Sequence, residues 1–536
     1  MSSEPAAEHR DDPAAAPPTL PLPESVAGLQ LLLDLPEDAV AAFKQAELLT
    51  KSALRRPVTR KFRQVFWDTA DHRLGRAGLS IAMQTAGQRK TQFLRNIKEI
   101  PTGGRILHQQ ESTLAADALD LTRLALLPGG DPELVTRIGA EMLVPVFALD
   151  FSRTTWPVAW NESQFTLALE SGTIDSPAGP AQFCQLALTP TAGPPQGLYD
   201  FAQRLQRAVP ARLARLDPIQ RGYGLVSTKN WWPENRAGIA VLTPEMTVRQ
   251  GILAIGRAAT AAVRAEVSGL EAGAEPDHIH EARVAIRRLR SVLSVFRDAL
   301  PVFSRKALAR DLGALATKLG HARELDVFLA ETLEPLAKAS GEEQCLRGLR
   351  LTASVLRQNA AEGARQAACG ADFLALSCRL GAWFDAGIWP ELAGPEASAL
   401  LDQPFETFAH NLLRKQHRKL VTAAEALKES SPVELHSLRI QAKRLRYTAD
   451  FVRSLFPERA AKRYIAALKA IQDILGTLND AVVARALLPQ LTKSDPTGGA
   501  RAAGLVAGWT AAEVTSARQR FAETWDRFKA TRRFWK

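Results

Sequence analysis

Two hydrophobic periodicities divide this chain near residue 245. Before that point, short apolar runs of strand length alternate with turn residues. Examples are Leu29 to Leu35, Val65-Phe66-Trp67, Leu79 to Met83, Gln92-Phe93-Leu94, Phe165 to Glu170 and Phe183 to Leu188. Turn signals such as Arg76-Ala77-Gly78, Thr102-Gly103-Gly104 and Ser171-Gly172 bound them, and helical patches at Glu37 to Leu49 and Leu198 to Ala208 interrupt them. The pattern predicts an α+β domain over residues 26–228 with a largely antiparallel sheet. Residues 1–25, rich in Ala and Pro, read as a disordered tail, and residues 229–244 as an interdomain linker.

From 245 to 536 apolar positions recur every three to four residues, which predicts an all-helical domain. Breaks are expected at Pro276, Pro301, Gly320, Gly341, Gly370, Pro390, Pro432 and Pro457. Ser431-Pro432-Val433-Glu434 has the form of a helix start with a capping box, and Asp277 is the expected cap of an earlier helix.

Within this region one basic helical row is written twice. His280, Arg283, Arg287 and Arg290 fall at the same offsets as His436, Arg439, Lys443 and Arg446, 156 residues later. Residues three, seven and ten places after a helical residue share its face, so each set forms a stripe. Ala282, Ala285, Ile286, Leu289 and Leu293 supply the opposite, core-facing side. Each stripe has an echo, Leu319-Gly320-His321-Ala322-Arg323-Glu324 and Leu475-Gly476-Thr477-Leu478-Asn479-Asp480, again 156 apart. An internal duplication of a helical bundle is the simplest account, and pseudo-twofold packing would bring the stripes together.

The charge is placed to match. Residues 229–536 hold 45 Lys/Arg against 33 Asp/Glu, whereas residues 1–228 hold 23 against 24, so the net charge of +11 comes from the helical part. Ordered cations on a packed scaffold call for a polyanion. Residues 436–446 contain no acid, which argues against pairing of the stripe within its own helix. Four cysteines form no CxxC pair and suggest no disulfide framework, and no run of about 18 apolar residues predicts a membrane helix. A cytoplasmic protein with no metal site is the expectation. The end residues Trp525, Phe528, Phe534 and Trp535 read as a packing edge, since aromatics are not interleaved with the basic rows as in single-strand nucleic-acid binders.

The doubled His-x-x-Arg-[Val/Ile]-x-x-[Arg/Lys]-Arg-Leu-Arg, each followed by Leu-Gly-x-x-[Arg/Asn]-[Glu/Asp], resembles the CHAD (conserved histidine α-helical) domain over roughly residues 244–536. The resemblance implies two pseudo-symmetric four-helix bundles that bind inorganic polyphosphate along a basic groove. It maps the binding residues onto His280, Arg283, Arg287, Arg288, Arg290, His436, Arg439, Lys443, Arg444 and Arg446. Arg357, Arg414, Arg418, Lys462 and Lys469 are candidates for a groove extension. Near a polyanion both histidines should favour their protonated forms.

Residues 26–228 resemble a CYTH domain, a β-barrel tunnel for triphosphates, through Phe66 to Asp71, Leu74 to Leu79, Arg153-Thr154-Thr155-Trp156 and Arg221-Gly222-Tyr223 before Ser227. The departures are informative. The family's Glu-x-Glu-x-Lys signature falls on Gly28, Gln30 and Leu32, its Arg-x-Arg pair on Ala82 and Gln84, and its late Glu-x-Glu on Gln185 and Ala187, while Glu170 remains. Neutral side chains supply neither a metal's charge partners nor a phosphate's counter-charge.

The expectation is therefore a non-enzymatic, cofactor-free polyphosphate-binding protein, associated with polyphosphate granules. It has no membrane contact, no nucleic-acid role, and a degenerate CYTH-like domain free to contact other proteins. The rivals are a metal-dependent triphosphatase or polyphosphatase working through residues 26–228, and a nucleic-acid binder.

Overall fold

A computed structural model describes residues 29–87, 89–96, 104–106, 108–113, 119, 138, 143–227, 240–271, 273–385, 387, 394–426, 432–493 and 496–535. The expected tail, most of the expected linker, Gly28, Pro390 and Ser431 lie outside these residues.

The N-terminal half is one ten-stranded antiparallel sheet. Its strands are β1 (Leu29–Asp34), β2 (Val58–Asp68), β3 (Leu79–Ala86), β4 (Arg89–Asn96), β5 (Gly104–Ile106), β6 (His108–Thr113), β7 (Val144–Trp160), β8 (Ser163–Asp175), β9 (Ala181–Ala192) and β10 (Arg212–Leu213). They are ordered β10-β1-β9-β8-β7-β2-β3-β4-β6. β5 pairs with β1 while β6, one residue later, pairs with β4, so the chain carries the sheet from one edge round to the other. All six runs read as strands from sequence fall on these elements, with Leu35 one residue past the end of β1. The longest strand, β7, was not among them. Its Pro145 and Pro157 suppress a strand reading, yet both fall where the ladder allows them. Pro157 lies past the last residue paired with β2, and Pro145 follows a bulge at Phe66/Trp67.

The short helices α1 (Val40–Gln45), α2 (Glu47–Ser52), α3 (Arg73–Arg76), α4 (Gln196–Ala208) and α5 (Pro218–Val226) dress this sheet. The outer face, through Leu31, Leu33, Leu167, Leu186 and Leu188, packs on Phe43, Leu198, Phe201 and Leu205. The inner face carries Phe62, Phe66, Phe93, Phe147, Phe151 and Phe183 in one cluster with Ile219 and Tyr223 of α5. Asp68 organises the loop that follows β2. Its carboxylate accepts hydrogen bonds from the Thr69, Leu74 and Gly75 amides at 2.7, 2.9 and 2.8 Å and from the Tyr223 hydroxyl at 3.2 Å.

The second half is helical: α6 (Val248–Gly269), α7 (Pro276–Val295), α8 (Val302–Val327), a π turn over Phe328–Leu333, α9 (Glu334–Ser340), α10 (Glu343–Cys369), α11 (Ala371–Leu380), α12 (Pro395–Leu401), α13 (Phe405–Glu425), α14 (Pro432–Val452), α15 (Glu458–Leu491) and α16 (Pro496–Ala530). Helices α6, α7, α8 and α10 pack in succession as one bundle, and α13, α14, α15 and α16 as the other. The starts of α7 and α14, and of α8 and α15, are each 156 residues apart, matching the sequence repeat. A backbone exchange ties the two copies together. The Val248 amide donates to the Gln403 carbonyl and the Phe405 amide to the Met246 carbonyl, both at 2.9 Å.

Two expectations need correction. Gly320 does not end a helix but lies inside α8; a Cβ there would come within 2.8 Å of the Arg283 guanidinium. Asp277 does not cap α7; Glu275 occupies that position without a side-chain bond, and Asp277 joins the first turn. The two halves share part of one core. One cluster runs from Leu31 and Phe201 into Ile252, Leu289 and Leu445. Tyr199 of α4 packs against Gly381, where a Cβ would lie 2.4 Å from its ring.

Candidate functional site: a cationic seam between two bundles

Helices α7 and α14 meet along the pseudo-twofold relation, and their polar stripes meet with them. Leu289 and Leu445 are fully buried beneath, which fixes the rotation of each helix and hence the direction of its cations. The Arg287 Nε donates to the Tyr447 hydroxyl at 2.5 Å, and its guanidinium lies 5.9 Å from that ring. Arg287 and Arg439 both act electrostatically on Lys443, and Arg439 acts on Arg283. The stripes therefore converge. Among the described residues no carboxylate forms an ion pair with Arg283, Arg287, Arg290, Arg439, Lys443 or Arg446.

The electrostatic strain of that arrangement is concentrated on Lys443. Burial, then the like charges of Arg439 and Arg287, pull its ammonium down to about 7, against the weaker pull of Asp480. Arg283 and Arg439 are lowered chiefly by burial, with the nearest opposing charges from Glu324 and Asp480 respectively. These two acids stand 156 residues apart, at the ends of the two echo motifs. The echo thus supplies each stripe's first arginine with a distant counter-charge from the next helix. Residues 436–446 hold no acid, but acids do act on the stripes, from α8 and α15 and, through Glu281 on His280 and Asp450 on Arg446, from their own helices.

The histidines differ. His280 is half-buried and held below its ordinary value, first by burial and then by Arg323. His436 is exposed. Arg323 is a member of the site that the sequence reading passed over, although it stands in the first echo motif. It is ion-paired with Glu331 at 3.3 Å and acts on both His280 and Arg283.

Arg288 and Arg444 occupy another position. One residue further round the helix from the stripe, they cross to the partner bundle. Arg288 lies 5.4 Å from the Phe451 ring with Asp450 as its nearest opposing charge, and Arg444 donates to the Ser294 hydroxyl at 2.6 Å. Ser294 and Asp450 are themselves 156 apart, so these contacts are the two halves of one exchanged pair. They hold the bundles together beside the stripes.

The expected extensions also separate. Arg357 is not part of a groove: its Nε donates to the buried Asp326 carboxylate at 2.9 Å, linking α10 to α8. Arg414 and Arg418 are exposed on α13, outside the facing pair of helices α7 and α14. Lys462 and Lys469 do continue the cationic surface, lining with Arg446 a cavity between α14 and α15. Asp450 and Arg453, which the sequence reading missed, line it too, with Ile465 and Ala466.

Residues 254–489 match the family model of the CHAD domain. That stretch of the helical half is a CHAD domain. The crystal structure of the CHAD domain from the plant Ricinus communis aligns with 55% of this chain and 96% of its own, at 28% identity and a TM-score of 0.49. Among curated proteins, an inorganic triphosphatase from Haemophilus influenzae is 24% identical over 163 residues. That match takes in 30% of this chain and 45% of the relative, so less than half of the relative's length is spanned. A putative adenylyl cyclase from Hippeastrum, described as having a dominant triphosphatase activity, aligns with 37% of this chain at 12% identity and a TM-score of 0.28.

The barrel beside the CHAD domain retains some charge. Gln64 donates to Gln84 at 2.6 Å, and Leu32, Ala168 and Ala187 form a small apolar cluster where the expected signature would fall. Two arginines remain on the inner face, Arg153 of the motif quoted from the sequence and Arg95, which the sequence reading passed over. Arg153 is paired with Glu170 at 2.6 Å, and Arg95 is pushed down to about 10 by burial and by Arg153. Among the described residues no three His, Cys, Asp or Glu side chains gather as a metal site, and no helix is long and apolar enough to cross a membrane.

Proposed function

We propose that this chain binds inorganic polyphosphate and does no chemistry on it. The carrying observation is the seam itself: Arg283 and Arg287 of one bundle act on Arg439 and Lys443 of the other, and among the described residues none of the four is ion-paired. Like charges packed this closely destabilise the empty protein and are relieved by an anion that spans both rows. A polymer of phosphates meets that need because several units engage together, so affinity should grow with chain length. Arginine suits each contact, since its planar fork takes two phosphate oxygens and stays charged. Association with polyphosphate granules follows from this reading.

The barrel serves as a scaffold and a surface for other proteins. Its inner face supports that role, because phenylalanines fill it where a triphosphate would need cations. A second reading, a metal-dependent triphosphatase, draws on Arg95, Arg153 and Glu170. Incubation of the full chain with tripolyphosphate and Mg²⁺ or Mn²⁺ separates the two. No phosphate release is expected; turnover at ordinary enzymatic rates would establish the enzyme. Competition of long polyphosphate against RNA at physiological salt tests the ligand, and displacement of polyphosphate by RNA would sink the proposal.

A further inference from the structure

Where α14 leaves the seam, the stripe ends in a cavity of about 280 Å³. Arg446, Arg453, Lys462 and Lys469 line it together with one acid, Asp450. Arg446 belongs to both the stripe and the cavity, so the two are continuous. The first bundle repeats the stripe but not the acid or the last lysine: Ser294 stands for Asp450 and Gly313 for Lys469. The groove therefore has two unlike ends.

We infer that this cavity receives the terminal phosphate of a polyphosphate chain, so that the groove recognises a chain end and fixes the direction in which the polymer lies. The inference rests on the polyphosphate reading above. A carboxylate among four cations is out of place if the ligand is only an interior stretch of the polymer. An interior phosphate has one ionised oxygen and no O–H, and it can only repel Asp450. A terminal phosphate has a second ionisation near neutrality, so it can present a P–O–H donor. Asp450 accepts that hydrogen bond while the surrounding cations take the remaining oxygens. Burial raises the Asp450 carboxyl despite Arg288, Arg446 and Arg453, so a proton shared with the phosphate is well held there. The acid discriminates, because it penalises every phosphate except the last.

The test uses the full chain and two probes made from one short-chain polyphosphate: one with free ends, the other with both ends blocked as ethanolamine phosphoramidates. The wild-type protein should bind the free-ended chain about tenfold or more tightly, the worth of a hydrogen bond to a charged group. Asp450→Ser, which copies the first bundle, should bring the two affinities together, by loosening the free-ended chain and relieving the repulsion of the blocked one, which stays bound. That retained binding also shows that the variant is folded. Lys469→Ala, at an exposed position, should weaken only the free-ended chain. Equal affinities in the wild type overturn the end pocket, as does a preference that survives Asp450→Ser. Failure of the wild type to bind either probe overturns the polyphosphate reading instead.

Discussion

Arg287 of the first bundle and Tyr447 of the second are joined by a hydrogen bond of 2.5 Å across the seam. The contact both positions a stripe cation and stitches the repeats. Tyr447→Phe keeps the buried ring and removes the acceptor, so stability should fall by about 1–2 kcal/mol. In an Arg287→Ala background the same change should cost less, a coupling that a double-mutant cycle in chemical denaturation measures.

Lys443 makes the empty protein sensitive to alkali in a defined direction. Its ammonium titrates near pH 7 in the folded chain but near 10.4 when unfolded. Between those values the unfolded chain holds more protons, so this group makes stability rise with pH. Polyphosphate favours the charged form, so binding above pH 7 should take up a proton and weaken as pH rises, by at most about tenfold per unit. Calorimetry in two buffers of different ionisation enthalpy reads that uptake. Lys443→Arg, matching Arg287 of the first bundle, should abolish the uptake and keep the binding; uptake unchanged in that variant would exclude Lys443 as its source.

Salt should act steeply. Six stripe contacts, at a single-strand slope of about −0.7 each, give an overall slope near −4, or roughly a 300-fold loss of affinity between about 50 and 200 mM salt. Replacing Arg283, Arg287, Arg439 and Lys443 together with Ala should abolish binding and leave the circular dichroism of the helices intact. By contrast, Leu289→Ala or Leu445→Ala, at fully buried positions, should cost about 2–5 kcal/mol of folding stability.

The stripes were legible because a helix turns predictably and because the pattern is repeated with one fixed offset. Buried Ala282, Ile286 and Leu289 confirm the face read from the sequence. Their partners were not legible. Glu324, Asp480 and Arg323 reach the stripes from the next helix, and the register between helices is set by packing that no local pattern records. Arg357 shows the converse: exposed by composition, it is spent on buried Asp326. In the barrel, the alternation of strands was readable wherever turns bounded it. The aromatic filling was not, because Phe66, Phe93, Phe151 and Phe183 come from four strands that only the ladder registers bring together.

His417 gives an acid-side prediction. Its Nδ1 lies 2.8 Å from the Tyr464 hydroxyl within the aromatic cluster of Phe528 and Trp535, and burial pushes its imidazole down to about 4. Between about pH 6.5 and that value the unfolded chain binds the extra proton, so stability should decline as the solution is acidified through this range. His417→Phe should flatten that part of the pH–stability curve, as read by thermal melts; an unchanged curve would remove His417 from the account.

The contact of Tyr199 with Gly381 bears on truncation. The outer skin of the barrel, through α4, is also part of the lining against which α11 folds. Cutting the chain between the halves would wet apolar surface on both sides, and neither piece carries the side chains to cover it. Selection on folding alone therefore suffices to retain the barrel, whatever its interior does or has ceased to do.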